Sequence, residues 1–201
     1  MKKALACLIF LSLSFSAVSQ NLDIDILKNI NLNRNENLDP TFEFISNSVT
    51  PISIGAPVMI LAVGFIKKDK DLKNQGLFIA ETIVTSTLIT TILKRTVNRD
   101  RPFITYPFID NVIYVDSPSF PSGHTSAAFA TATSLSLAYP KWYVIAPSFA
   151  WASAVGYSRM DLGVHYPSDV LVGALVGTGS AYLCYFVNKK LFHKELNRRR
   201  K

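Results

Sequence analysis

Two of the chain's three histidines stand in short polar clusters whose residue types suit an oxyanion site. SRMDLGVHYPSD, residues 158–169, carries Arg159, His165 and Asp169 around a Gly and Pro break. Pro167 fits the first position of a helix, which places Asp169 in the first turn. From there its carboxylate reaches back to the His165 ring and holds one tautomer. A histidine oriented by a carboxylate is a prepared nucleophile or base. PSFPSGHTS, residues 118–126, reads as a helix start. Ser122 caps it, and Gly123 lets backbone approach a ligand closely. The free N–H groups and positive dipole end beside His124 favour an anion. KRTVNRDRP, residues 94–102, supplies Lys94 and Arg101, long cations suited to phosphate oxygens, and Arg159 adds a third. His193 lies in a basic tail and reads as a solvated or headgroup-facing residue.

Taken singly, each cluster has a plain structural explanation. Lys94, Arg95 and Arg99 suit the anchoring of a helix at an interface. Pro-Ser-Gly often opens a helix, and His-x-x-x-Asp occurs in many chains. The case for chemistry therefore rests on whether the chain brings the three to one place.

The elements that must do this are apolar. Of 201 residues, 49% are hydrophobic and 17% charged, against roughly 25% charged in an ordinary soluble protein. The mean hydropathy is +0.23. Runs with few or no Asp, Glu, Lys or Arg cover residues 44–66, 76–93, 117–140, 142–158 and 170–188. A helix needs about 20 such residues to cross the hydrocarbon. The expected fold is an all-α transmembrane bundle of five spans, preceded by a signal peptide or a sixth span at the N-terminus. Buried helices of a soluble all-α protein are the alternative. Glu81, within the second run, sits near its start and reads as a headgroup-depth residue without a chemical role.

The N-terminus, MKKALACLIFLSLSFSAVSQ, has two lysines, an apolar stretch and a small-residue Ala-Val-Ser pattern. It reads as a signal peptide over residues 1–19, with a retained membrane helix as the alternative. Residues 20–201 then form the functional domain. Cys7 and Cys184 imply no disulfide framework, and Leu-Ala-Cys at 5–7 comes too early for a lipoprotein cleavage site.

Charge placement orients the bundle. With a cytoplasmic N-terminus and alternating spans, two thirds of the 21 Lys and Arg fall inside: Lys2, Lys3, the KKDKDLK loop, Lys141 and the tail from Lys189. That excess fits the positive-inside rule. The net charge of +7 thus reflects orientation. It is not a basic stripe on a polar surface, so nucleic acid is not an expected partner. The same topology puts all three polar clusters at the outer face, where a helical bundle joins them at its mouth.

Together the clusters resemble the type 2 phosphatidic acid phosphatase superfamily, which also includes class A bacterial acid phosphatases and vanadium haloperoxidases. The family pattern appears as Lys94 to Arg101-Pro102, Pro121-Ser122-Gly123-His124, and Ser158-Arg159 to His165 to Asp169. The resemblance implies that His165 attacks phosphorus and forms a phosphohistidine, while Asp169 orients it. It implies that His124 protonates the leaving oxygen and then helps to activate water. It assigns Lys94, Arg101, Ser122, Gly123 and Arg159 to the phosphoryl oxygens. No metal and no cofactor are expected, and no carboxylate cluster in the sequence suits Mg²⁺ or Zn²⁺.

A site at the membrane surface favours a lipid phosphate whose tails stay in the bilayer. Undecaprenyl pyrophosphate, lipid A phosphates, phosphatidylglycerol phosphate and phosphatidic acid are the candidate substrates by resemblance. The expected location is a bacterial inner membrane, with the site facing the periplasm or exterior. Phe103, Tyr106, Phe108, Tyr114 and Phe120 form either an aromatic collar at the interface or a lid over the site. A secreted soluble acid phosphatase, a vanadium haloperoxidase and a catalytically dead lipid-binding protein are the alternatives.

Overall fold

A computed structural model describes residues 22–198, with side chains described for residues 22–190. The expected signal peptide at residues 1–19 lies outside the described residues. A helix over residues 22–32 (α1) leads through a 3-10 turn at Glu36–Leu38 to α2 (Asp39–Asn47). Then come α3 (Val49–Ile66), α4 (Lys70–Val97), the short α5 (Pro102–Thr105), α6 (Gly123–Ala138), α7 (Trp142–Asp161) and α8 (Pro167–Arg198). The described residues contain no strand.

Local chemistry sets the helix ends. Asp69 caps α4 by accepting from the N–H groups of Asp71 and Leu72. Asn98 ends α4 in the left-handed region, at φ 47°, a conformation Asn tolerates better than most residues. Ser122 caps α6, and Pro102 and Pro167 open α5 and α8.

The central element is α6, which packs against α8, α7, α4 and α3. Its buried residues are all Ala, Ser or Thr, small enough to let neighbouring backbones approach. A Cβ added at Gly177 of α8 would lie 2.3 Å from the Ser126 carbonyl oxygen, and one at Gly173 would lie 2.7 Å from that of Ser122. The hydroxyls facing inward pair with each other, Ser126 with Ser86 at 2.6 Å and Thr90 at 2.8 Å, and Thr131 with Ser53 at 2.9 Å. Large apolar side chains point outward instead, including Val84, Leu88 and Ile92 on α4 and Leu171 and Leu175 on α8. Polar inside and apolar outside is the arrangement a hydrocarbon solvent favours.

All five apolar runs of the sequence are helical over most of their length. Among the described residues, three stretches are long and apolar enough to cross a membrane: Glu36–Ile66, Lys70–Thr105 and Pro167–Lys190. The run over 117–140 becomes helical only at Gly123, because Pro118 and Pro121 hold its start as loop. At 1.5 Å per residue, α6 is short for a span, and its neighbours in the bundle cover it.

Candidate active site

The C-terminal ends of α4 and α7 and the N-terminal ends of α6 and α8 meet at one end of the bundle, roofed by the 98–122 loop and α1. The three polar clusters come together there. In the first turn of α8, Asp169 Oδ2 accepts from the Tyr166 N–H at 3.0 Å, while the Tyr166 carbonyl accepts from the Asp169 N–H at 3.0 Å. This reciprocal pairing resembles a capping box. The Ser122 N–H donates to the Asp169 carbonyl at 3.0 Å, tying the start of α6 to the start of α8.

His165 is buried, and its two nitrogens have different partners. Nδ1 lies 3.4 Å from Asp169 Oδ2 and 3.3 Å from Ser119 Oγ. Nε2 lies 3.4 Å from Arg101 Nη1. A guanidinium only donates, so Nε2 accepts and the proton sits on Nδ1, toward Asp169. Burial pushes the His165 pKa down to about 3, against the hydrogen bond its Nδ1–H donates to Asp169, with Arg159 and Arg101 pushing the same way as burial. The ring is therefore neutral near pH 7, with its nucleophilic lone pair on Nε2. Ser119 Oγ also donates to Asp169 Oδ2 at 2.5 Å, so this carboxylate oxygen is held from three sides.

The expected phosphate ligands surround this ring. Arg101, 2% exposed, donates to the Ser117 and Val164 carbonyls at 2.8 and 2.7 Å and to Ser117 Oγ at 3.1 Å. Arg159 donates to Ser46 Oγ, and its Nε has no partner. Lys94 donates to the Pro118 carbonyl. The charges of Arg159, Arg101 and Lys94 all act on the His124 ring, which stands in the first turn of α6. A Cβ at Gly123 would lie 3.8 Å from Lys94 Cε, so the open face of this glycine looks toward the lysine. Ser122 Oγ accepts from Thr125 Oγ1 at 2.9 Å, which leaves its own proton free to donate. An arginine nitrogen without a partner, a lysine, the first turn of α6 and two imidazoles thus belong to the same end of the bundle. Such groups suit a tetrahedral oxyanion.

Several residues of this end are invisible to motif reasoning. Arg99, expected as an interface anchor, donates instead to Asp169 Oδ1 and Asp23 Oδ2, each at 2.8 Å. Ser119 lies inside the PSFPSGHTS cluster, and that position was the available signal, while its buried hydroxyl is seen only in the structure. Asn31 of α1 bonds the Asp110 carbonyl, the Asp161 carbonyl and the Asp110 N–H, each at 2.9 Å. This pins the 98–122 loop to the α7–α8 turn, where Gly163 takes φ +72° and a Cβ would meet the Asp110 carbonyl oxygen at 2.2 Å. Nothing local marks Asp23, Asn31 or Ser46, because their partners are remote in sequence. Phe108 and Tyr114 are exposed, while the Tyr106 ring packs on Tyr166 at 6.4 Å, beside His165.

An apolar groove of about 380 Å³ opens between α7 and α8, lined by Ile26, Phe129, Gly156, Tyr157, Val170 and Leu171 among others. Its lining includes Pro167 and Val170, two residues before and one after Asp169.

The family model of the PAP2 superfamily matches residues 75–192, more than half of the chain. A lipid A 1-phosphatase of Rhizobium etli is 34% identical over 110 residues, which take in 51% of this chain and 45% of that protein. The chain thus spans less than half the length of that curated relative. An undecaprenyl-diphosphatase of Sulfolobus acidocaldarius is 30% identical over 80% of this chain and 76% of its own length. The crystal structure of a transmembrane PAP2-type phosphatidylglycerolphosphate phosphatase from Bacillus subtilis superposes with a TM-score of 0.72. The identity there is 28%, over 91% of this chain and 94% of that one.

Proposed function

The chain belongs to the PAP2 superfamily, and from that premise we propose that it is an integral-membrane phosphatase that hydrolyses a lipid phosphate or diphosphate at His165. The observation that carries the reading is the state of the His165 ring: neutral, with Nδ1–H on Asp169 and the Nε2 lone pair among the cations. Nε2 attacks phosphorus, and the phosphohistidine that forms places positive charge on the ring. Asp169 stabilises that charge across Nδ1. His124 gives its proton to the leaving oxygen as the P–O bond breaks, then takes one from the water that hydrolyses the intermediate. Arg101, Arg159, Lys94, the Ser122 hydroxyl and the Gly123 N–H hold the equatorial oxygens, where charge develops in the transition state.

Substrate class follows from the surroundings. The groove between α7 and α8 is apolar and takes in chain neighbours of Asp169. It suits an acyl or prenyl chain that stays in the bilayer while the phosphate enters the mouth. The similar proteins named above for lipid A, undecaprenyl diphosphate and phosphatidylglycerolphosphate support the same class. All five apolar helices, α3, α4, α6, α7 and α8, pass through the membrane in this reading. The site then faces the periplasm or exterior of the inner membrane, with the lysine-rich α3–α4 loop inside.

The test is a substrate panel with the purified protein in detergent: lipid A, undecaprenyl diphosphate, phosphatidylglycerol phosphate, phosphatidic acid and p-nitrophenyl phosphate. The expected result is phosphate release from at least one lipid in preference to the soluble ester, lowered more than about 1,000-fold by His165→Ala. Turnover of the soluble ester alone, or undiminished turnover by the variant, overturns the reading.

A further inference from the structure

We propose that Asp23 is a positioning residue for the His165–Asp169 pair, acting through Arg99. The inference rests on the reading of His165 as the nucleophile. Asp23 lies on α1, outside all three motifs, and is 6% exposed. Its Oδ1 accepts from the Ser168 N–H at 2.8 Å. Its Oδ2 accepts from Ser168 Oγ at 2.5 Å and from Arg99 Nη2 at 2.8 Å. Arg99 Nη1 then donates to Ser168 Oγ and to Asp169 Oδ1, both at 2.8 Å. The Arg99 guanidinium lies 3.7 Å over the Tyr166 ring, so its plane is set by stacking and both ends are set by carboxylates.

This arrangement has an electrostatic consequence. One guanidinium stands between two largely buried carboxylates, which leaves a net negative charge behind His165. Positive charge forms on the ring as Nε2 bonds to phosphorus, and that net charge supports it. Without the Asp23 charge, Arg99 has Asp169 as its sole carboxylate partner. Asp169 is then fully compensated and becomes a weaker acceptor for Nδ1–H. Asp23 also holds the Ser168 N–H in the first turn of α8, the turn that carries Asp169. The seat of α1 does not depend on this contact. Leu27 is fully buried against Ile109 and Tyr166, and Asn31 makes three hydrogen bonds to the outer loop and the end of α7. Asp23→Asn therefore removes the charge and keeps the helix in place.

Two measurements on the full-length protein in detergent test the proposal. The first needs no substrate: the ¹H–¹⁵N imidazole spectrum, with the His165 Nδ1–H resonance assigned from His165→Gln. Asp23→Asn is expected to move this proton upfield, as its hydrogen bond to Asp169 weakens. A merely structural role for Asp23 leaves it unmoved. The second is a double-substitution cycle with the best substrate of the panel. Asp23→Asn is expected to lower kcat about 10-fold with KM within about twofold, the pattern of an interaction felt in the transition state. Arg99→Gln with Asp23→Asn is expected to be no slower than Arg99→Gln alone. An unmoved resonance, or multiplicative losses, overturns the proposal. Absence of hydrolysis in the wild type counts against the assigned activity instead, and the spectrum still decides the role of Asp23.

Discussion

At the scale of residues, His165 shows how a buried site fixes one imidazole tautomer. Arg101 offers only donors, so it selects the Nδ1–H tautomer from one side while Asp169 selects it from the other. Burial keeps the ring uncharged. The same feature sets a pH dependence of stability. In the unfolded chain this histidine binds a proton near its ordinary pKa of about 6.5; in the folded protein it does so only near pH 3. Between those values the unfolded state holds the extra proton, so stability falls as pH falls, by at most about 1.4 kcal/mol per pH unit from this group. Thermal unfolding in detergent from pH 6.5 to 4 should therefore lose midpoint less steeply in His165→Gln than in wild type. Equal slopes would show that the ring is not held neutral. That His165, Asp169 and Arg101 come together was legible because the motif residues sit at helix ends, where sequence signals are strong. Arg99 was not. It reads as one more interfacial cation until Asp23, 76 residues away, is placed against it.

The elements act through how closely they approach. The site spans α6 and α8, joined by the Ser122 N–H to Asp169 carbonyl bond, and this geometry requires the two helices to touch backbone to backbone. Gly173 and Gly177 allow it. A methyl at Gly177 would meet Ser126 O at 2.3 Å and Ala130 N at 2.7 Å, backbone atoms that cannot rotate away. Gly177→Ala is expected to cost about 1–3 kcal/mol and to lower kcat, because it pries the start of α6 from Asp169. Gly179, two residues on, has nothing within 4 Å. Gly179→Ala should leave activity intact and hold or raise the unfolding midpoint, as alanine favours the helix by about 1 kcal/mol. Similar thermal shifts in both variants would refute the close-approach explanation. The helical character of all five apolar runs was legible from hydropathy and capping residues. The late start of α6 was less so, since a run free of charge hides a loop held by two prolines. The role of α1 was not legible at all, because its polar face bonds to segments far along the chain.

For the whole molecule, the apolar exterior and polar, hydroxyl-lined interior describe a bundle solvated by lipid, with its chemistry at one end. The orientation argument predicts opposite accessibility for the two ends. In a background with Cys7 and Cys184 replaced by serine, Thr105→Cys should react with an impermeant maleimide added to intact cells. Lys70→Cys should react only after permeabilisation. Both positions are exposed, so the reverse pattern would invert the topology. The amino-acid sequence alone determined which residues could do chemistry, which helix ends carry them and which way the basic loops bias the bundle. These are properties of residue type and local spacing. Tertiary structure alone decided which imidazole nitrogen is free, which carboxylates share Arg99 and that α1 belongs to the site. Such pairings depend on contacts a few ångströms long between segments far apart in the chain. Only the packing of small residues between helices, and the seating of α1 by Leu27 and Asn31, brings those segments within reach.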